Sequence, residues 1–131
     1  MTSSPRVRIE RTVEWPDTDA AGHYHHSAII RWVEAAEAEL HAELGMLDLF
    51  GVVPRVHYEV DYLARLWFRD VVSIELAVAE LGTSSIRYTF TVRRGDELAA
   101  QGVMVAVHAD PDTDGPTPWP ANVRERLAPS R

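Results

Sequence analysis

The chain has 131 residues, of which 46% are hydrophobic and 25% charged, values ordinary for one soluble domain spanning 1–131. Its net charge of -7 argues against a nucleic-acid binder, and the absence of cysteine excludes disulfides and thiolate chemistry. No run approaches ~18 apolar residues and the N-terminus lacks the apolar run of a signal peptide, so we expect a cytoplasmic protein with no membrane span.

The first predicted element is a strand, because apolar and polar residues alternate with period two from Val7 to Trp15. Pro16 ends this strand. A loop over residues 17–26 follows, and it collects two carboxylates, a glycine and three histidines.

The period changes at Ser27, from where apolar residues recur at spacings of three and four as far as Leu44. This spacing is typical of an amphipathic helix, with Glu37 among the charged residues assigned to its other faces. Gly45 is well placed to end the helix in the left-handed conformation.

Four strands with short turns follow, which predicts antiparallel hairpins. Their inward rows are Val56, Tyr58, Val60 and Tyr62; Val72, Ile74, Leu76 and Val78; and Ile86, Tyr88, Phe90 and Val92. Residues 98–107 are apolar on both faces and predict a central strand. We expect a core over about 6–108 and an irregular tail over 109–131, with at most one or two helical turns at 121–127. One long helix and five strands predict an α+β fold in which the antiparallel sheet wraps the helix.

The loop before the helix carries the candidate chemistry. A carboxylate beside the outward-pointing N–H groups of a helix start can attack a carbonyl or activate water, while those groups hold the oxyanion. By spacing alone, the commoner role for Asp19 is that of a turn or cap residue, and Asp17 is expected to organise the loop through backbone N–H groups. The histidines suggest a metal ion, but His25 and His26 are adjacent and no i, i+4 histidine pair is present, so we expect no metal site.

The segments Trp15 to His23 and Ile30 to Ala36 resemble the hot-dog fold acyl-CoA thioesterases, in particular the 4-hydroxybenzoyl-CoA thioesterase-like group. The likeness covers about residues 7–107. It implies a hot-dog domain that hydrolyses an acyl thioester of coenzyme A or of an acyl-carrier protein. It also implies homodimers, often paired into homotetramers, with the active site at the dimer interface.

The resemblance further assigns residues. It implies that Asp19 is the catalytic carboxylate, as nucleophile or general base, and that His26 supplies the backbone N–H that polarises the thioester carbonyl. Gly22, His23 and Tyr24 are then expected to contact substrate. No cofactor is expected, since coenzyme A enters only as part of the substrate.

Two positions depart from the family pattern. Arg65 stands where relatives often have proline, and Arg69 where they often have glycine before Asp70. Together with Trp67, these arginines are expected to hold the adenine and phosphates of coenzyme A, although a partly buried turn accounts for them equally well.

Two other functions remain open from the sequence. One is a hot-dog hydratase or dehydratase acting on enoyl or hydroxyacyl thioesters, with His26 and Asp19 as the acid–base pair. The other is a dimer that binds acyl thioesters without turning them over.

Overall fold

In the computed structural model, the described residues are 4–20, 26–46, 53–112 and 115–128. Its elements are β1 (Arg6–Thr12), a 3-10 turn (Trp15–Asp17), α1 (Ser27–Glu43), β2 (Arg55–Tyr62), β3 (Val71–Leu81), β4 (Ser85–Arg94), β5 (Glu97–Val107) and α2 (Ala121–Leu127).

The five strands form one antiparallel sheet in the order β1-β3-β4-β5-β2. The predicted α+β fold is therefore confirmed, with β1 and β2 at the two edges. Strand β5 lies between β4 and β2, so the prediction that residues 98–107 form a central strand rather than an edge strand is confirmed.

The core lies between α1 and the inner face of the sheet. The apolar stripe of the helix is buried as predicted, through Ile29, Val33, Ala36 and Leu40. The inward rows of β3 and β4 are buried against it, each side chain at most 2% exposed. Such burial stabilises by about 1.5–3 kcal/mol for each large apolar side chain.

The C-terminus of α1 ends as the sequence predicts. Gly45 has a φ of +70°, and the Met46 N–H donates to the His41 carbonyl at 2.7 Å. A backbone that turns left-handed at this point satisfies the last helical carbonyls, and glycine adopts that conformation without steric cost.

The inward row predicted for β2 is wrong at both ends, since Val56 is 59% exposed and Tyr62 is 46% exposed. The physical reasons are a register shift between Arg55 and His57 and the position of β2 at the sheet edge. Between these ends, Tyr58 is half-buried and stacks on Phe90 with ring centroids 5.7 Å apart.

Glycine is required at position 102, where β5 approaches β2. A Cβ atom there would lie 1.9 Å from the Glu59 carbonyl oxygen and 2.7 Å from the Phe90 ring. The two strands can therefore approach closely under the Phe90 ring because residue 102 is a glycine and has no side chain.

The C-terminal segment is more ordered than the predicted irregular tail. Trp119 is buried, donates from Nε1 to the Ser85 carbonyl at 3.1 Å and stacks on His108 at 5.0 Å. Val123 and Leu127 of α2 are also buried. Trp119, Val123 and Leu127 recur every four positions, and their burial extends the core beyond residue 108.

No helix in the described part of the chain is both long and apolar enough to cross a bilayer.

Candidate functional site

Asp17 holds the turn that follows β1. This residue is only 8% exposed, and its Oδ2 accepts the Glu14 N–H at 2.8 Å. Its Oδ1 accepts a hydrogen bond from the Arg31 guanidinium of α1 at 2.5 Å. The predicted bonding of Asp17 to backbone is confirmed at one N–H group, and Arg31 adds a tie to the helix that the sequence pattern did not indicate.

The predicted strand end at Trp15 is wrong, because β1 stops at Thr12 and Trp15 begins the 3-10 turn. Pro16 lies in the first turn of that short helix, where its missing N–H and fixed φ are tolerated. Trp15 is consequently 72% exposed and meets Phe68 edge-to-face at 5.6 Å.

Asp19 follows this anchored turn and is exposed. Its neighbour Thr18 is fixed by hydrogen bonds from its N–H and hydroxyl to the Trp15 carbonyl, at 3.1 and 2.8 Å. Asp19 therefore comes directly after a short turn, and Asp17 ties that turn to α1.

His26 occupies the N-cap of α1, with helical φ and ψ of -54° and -29°. Its side chain makes no capping hydrogen bond, and the first turn of α1 carries no acidic residue. No carboxylate in this turn therefore offsets the positive end of the helix dipole. That positive end favours negative charge that develops beside it.

Sequence reasoning missed a contact between the end of β2 and His26. The Tyr62 hydroxyl, at the end of β2, donates to the His26 carbonyl oxygen at 3.2 Å. The contact spans 36 residues, so no local pattern indicates it.

Three of the predicted substrate contacts, Gly22, His23 and Tyr24, lie outside the described residues, as does His25. Among the described residues, no group of three or more histidines and carboxylates is arranged to hold a metal ion.

The predicted coenzyme A contacts lie on the segment between β2 and β3. Arg65, Trp67 and Arg69 are all exposed there. The segment runs beside the Asp19 turn, because the Arg69 N–H donates to the Val13 carbonyl and the Val13 N–H to the Asp70 carbonyl, both at 2.8 Å. The three side chains and the Asp19 turn therefore belong to one end of the molecule.

Arg69 has a φ of +76°, the one positive φ among the described residues other than glycine. Asp70 maintains this turn, since its Oδ2 accepts the Trp67 N–H and an N–H of Arg94, each at 2.8 Å. These hydrogen bonds and the nearby Arg94 charge outweigh desolvation and lower the pKa of Asp70. Glycine adopts such a left-handed backbone without steric cost, whereas arginine does not.

A second polar cluster lies inside the fold. Glu37 is fully buried, contrary to its predicted place on a charged face, and pairs with Arg55, which also reaches Glu34 at 3.7 Å. Desolvation raises the pKa of Glu37, although the Arg55 charge opposes the shift. Burial and the same Arg55 charge lower the pKa of His41 to about 4.

His41 is therefore neutral at pH 7, and its Nε2 lies 3.1 Å from the Tyr88 hydroxyl. Burial raises the pKa of Tyr88, as does the charge of the neighbouring Glu37. The side chains of this cluster join α1 to β2 and β4. The cluster is part of the core of the fold and is separate from the Asp19 turn.

Comparison with known proteins gives the family. Residues 13–127 match the model of the thioesterase-like superfamily. A 1,4-dihydroxy-2-naphthoyl-CoA hydrolase from Synechococcus sp. (strain CC9605) is 30% identical, over 98% of this chain and 87% of that protein.

Two solved structures share the fold. A thioesterase from Thermus thermophilus, complexed with coenzyme A and Zn, is 29% identical with a TM-score of 0.85, covering 97% of this chain and 94% of that one. The gentisyl-coenzyme A thioesterase BH1999 is 26% identical with a TM-score of 0.83, covering 92% and 99%. The resemblance predicted from the sequence is confirmed: the chain belongs to the thioesterase-like superfamily and has the hot-dog fold of its acyl-CoA thioesterases.

Proposed function

We propose that this thioesterase hydrolyses coenzyme A thioesters of hydroxylated aromatic acids, releasing the acid and the free thiol. Thioester hydrolysis follows from the family. The aromatic preference is supported by two relatives whose names specify the substrates 1,4-dihydroxy-2-naphthoyl-CoA and gentisyl-coenzyme A.

The observation that carries the proposal is the placement of Asp19. Its exposed carboxylate follows a turn that Asp17 and Arg31 tie to α1, the helix that His26 opens. A carboxylate after an anchored turn, and a helix to which that turn is tied, match the two needs of acyl transfer, an attacking group and an oxyanion site.

In the proposed reaction, a carboxylate oxygen of Asp19 attacks the thioester carbonyl carbon, or removes a proton from a water molecule that attacks it. The carbonyl oxygen becomes negative and is held by the His26 backbone N–H. The carbon–sulfur bond then breaks and the thiolate takes a proton. In the nucleophilic route, water afterwards hydrolyses the mixed anhydride and restores Asp19.

We assign Arg65, Trp67 and Arg69 to the nucleotide end of coenzyme A. Guanidinium groups bind phosphate oxygens in a bidentate manner, and an exposed indole offers a face for adenine. Since all three side chains are exposed beside the Asp19 turn, their removal should raise KM more than it lowers kcat. No metal or organic cofactor takes part in this scheme, so prolonged EDTA treatment should leave the rate unchanged.

We also propose that the working enzyme is a homodimer, with pairs of dimers forming a tetramer. Strand β2 is a sheet edge with exposed apolar side chains at Val56, Tyr62 and Leu63, and Ile30 of α1 is partly exposed as well. Edge strands of this kind readily pair with another chain. Light scattering after size exclusion tests the assembly, and a monomer at micromolar concentration would contradict it.

The test of activity is thiol release from a panel running from short aliphatic to hydroxyaryl acyl-CoA thioesters and one acyl-carrier-protein thioester. Asp19→Asn should reduce kcat at least about 100-fold on the best substrate, the usual contribution of a positioned acid or base. Asp96→Asn, an exposed carboxylate in the β4–β5 turn, is the matched control and should keep wild-type rates.

Full activity in Asp19→Asn would refute the catalytic assignment. Loss of enoyl-thioester absorbance without thiol release would favour the hydratase, and tight binding without turnover across the panel would favour the binding protein.

A further inference from the structure

The period-two pattern wrongly assigns Tyr62 to the core. Its side chain is instead 46% exposed, and its hydroxyl donates to the His26 carbonyl oxygen. This contact joins the end of an edge strand to the first residue of α1.

The hydroxyl of Tyr62 is presented by a rigid part of the sheet. Tyr62 pairs with Ala100 in β5, and the next two N–H groups, of Leu63 and Ala64, both donate to the Ala99 carbonyl at 2.9 and 3.1 Å. Ala99 and Ala100 are fully buried. The backbone on both sides of Tyr62 is therefore fixed by hydrogen bonds to an interior strand.

The accepting carbonyl belongs to the peptide that links His26 to Ser27. A hydrogen bond to this oxygen fixes the plane of the 26–27 peptide and polarises its N–H, which belongs to Ser27. The His26 N–H belongs to the preceding peptide, so Tyr62 acts on it by restricting rotation about the Cα–C bond of His26.

We propose that Tyr62 is a positioning residue for the oxyanion site: its hydroxyl sets the orientation of His26, the residue whose backbone N–H holds the thioester oxygen. This inference rests on the proposed function for the role of His26. It adds that the sheet, through the end of β2, determines the geometry of the helix start.

The variant Tyr62→Phe removes only the hydroxyl. We expect kcat for the best acyl-CoA to fall about tenfold, with KM within about twofold of wild type, because a rotated donor weakens transition-state binding more than ground-state binding. Tyr58→Phe is the matched control. It deletes the hydroxyl of another β2 tyrosine whose oxygen has no hydrogen-bond partner among the described residues, and it should keep wild-type kcat.

A second measurement needs no substrate. In ¹H–¹⁵N spectra of the full-length protein, Tyr62→Phe should shift the Ser27 amide signal and speed its hydrogen exchange, whereas Tyr58→Phe should change neither. An unmoved Ser27 signal would overturn the inference even if activity fell. An unchanged kcat would overturn it even if the signal moved.

The two proposals can fail separately. Wild-type protein that is inactive on the whole panel, or an Asp19→Asn variant at full rate, disproves the proposed reaction. Those results leave the Ser27 amide as the independent measure of whether Tyr62 orients the helix start.

Discussion

The replacement His41→Gln should flatten the acid dependence of stability. His41 is 1% exposed, and its pKa falls from 6.5 to about 4 in the folded protein. That difference corresponds to about 3 kcal/mol of preference for the neutral imidazole, at 1.36 kcal/mol per pKa unit. The groups that face it are Tyr88 of β4, Glu37 one turn earlier on α1, and Arg55 of β2.

The direction follows from the lowered pKa. Protons bind the unfolded chain more readily than the folded one, so the contribution of His41 is complete above about pH 6.5 and is lost as the pH falls toward 4. Glu37 opposes this trend, because its raised pKa makes the folded protein bind protons more readily in acid. The net loss attributable to His41 should therefore be visible mainly between about pH 6.5 and about pH 4.5.

The assay is urea unfolding followed by tryptophan fluorescence at several pH values and one protein concentration, since assembly would otherwise alter apparent stability. Glutamine keeps an N–H donor for the Tyr88 hydroxyl but does not titrate. The variant should be less stable than wild type at about pH 7.5, and the difference should shrink by about 2–3 kcal/mol at about pH 4.5. Parallel curves for the two proteins would refute the burial argument.

Three further replacements test separate parts of the fold. Gly102→Ala should destabilise by about 2–3 kcal/mol in urea unfolding, because the added Cβ meets the Glu59 carbonyl oxygen at 1.9 Å; a neutral result would show that β5 shifts freely. Arg69→Gly should raise the unfolding free energy by about 0.5–1 kcal/mol by relieving the left-handed backbone, yet raise KM for coenzyme A thioesters; a lower KM would contradict its phosphate role. Asp17→Asn should lower stability by about 1 kcal/mol through the lost charge on the half-exposed Arg31 pair, and an unchanged melting temperature would contradict that anchoring.

The fold was predictable because its hydrophobic periods are uniform over long stretches. The stripe of α1 and the alternate rows of β3 and β4 each repeat over at least seven residues, and all are buried as the spacing requires. Strand β2 fails this reasoning at Val56 because a register shift changes which face a residue takes, and a period-two pattern contains no signal for such a shift.

Glu37 shows a different limit. It lies four residues after Val33 and four before His41, so the helical spacing alone places it on the buried face. The prediction nevertheless assigned Glu37 to the surface, because glutamate is a charged residue type. Its partner Arg55 is 18 residues away on another element, and only the tertiary structure supplies the ion pair that allows a carboxylate to be buried.

The two carboxylates of the Asp-Thr-Asp turn show how neighbouring residues acquire different tasks. Asp17 is buried, and both of its oxygens accept hydrogen bonds, one from the backbone and one from Arg31. A carboxylate so engaged is a poor nucleophile, because attack would require breaking a charge-assisted contact. Asp19 lies two residues further along extended backbone at Thr18 and is exposed. Asp17 ties the turn that precedes Asp19 to α1 through Arg31, so the catalytic proposal for Asp19 depends on the structural role of Asp17.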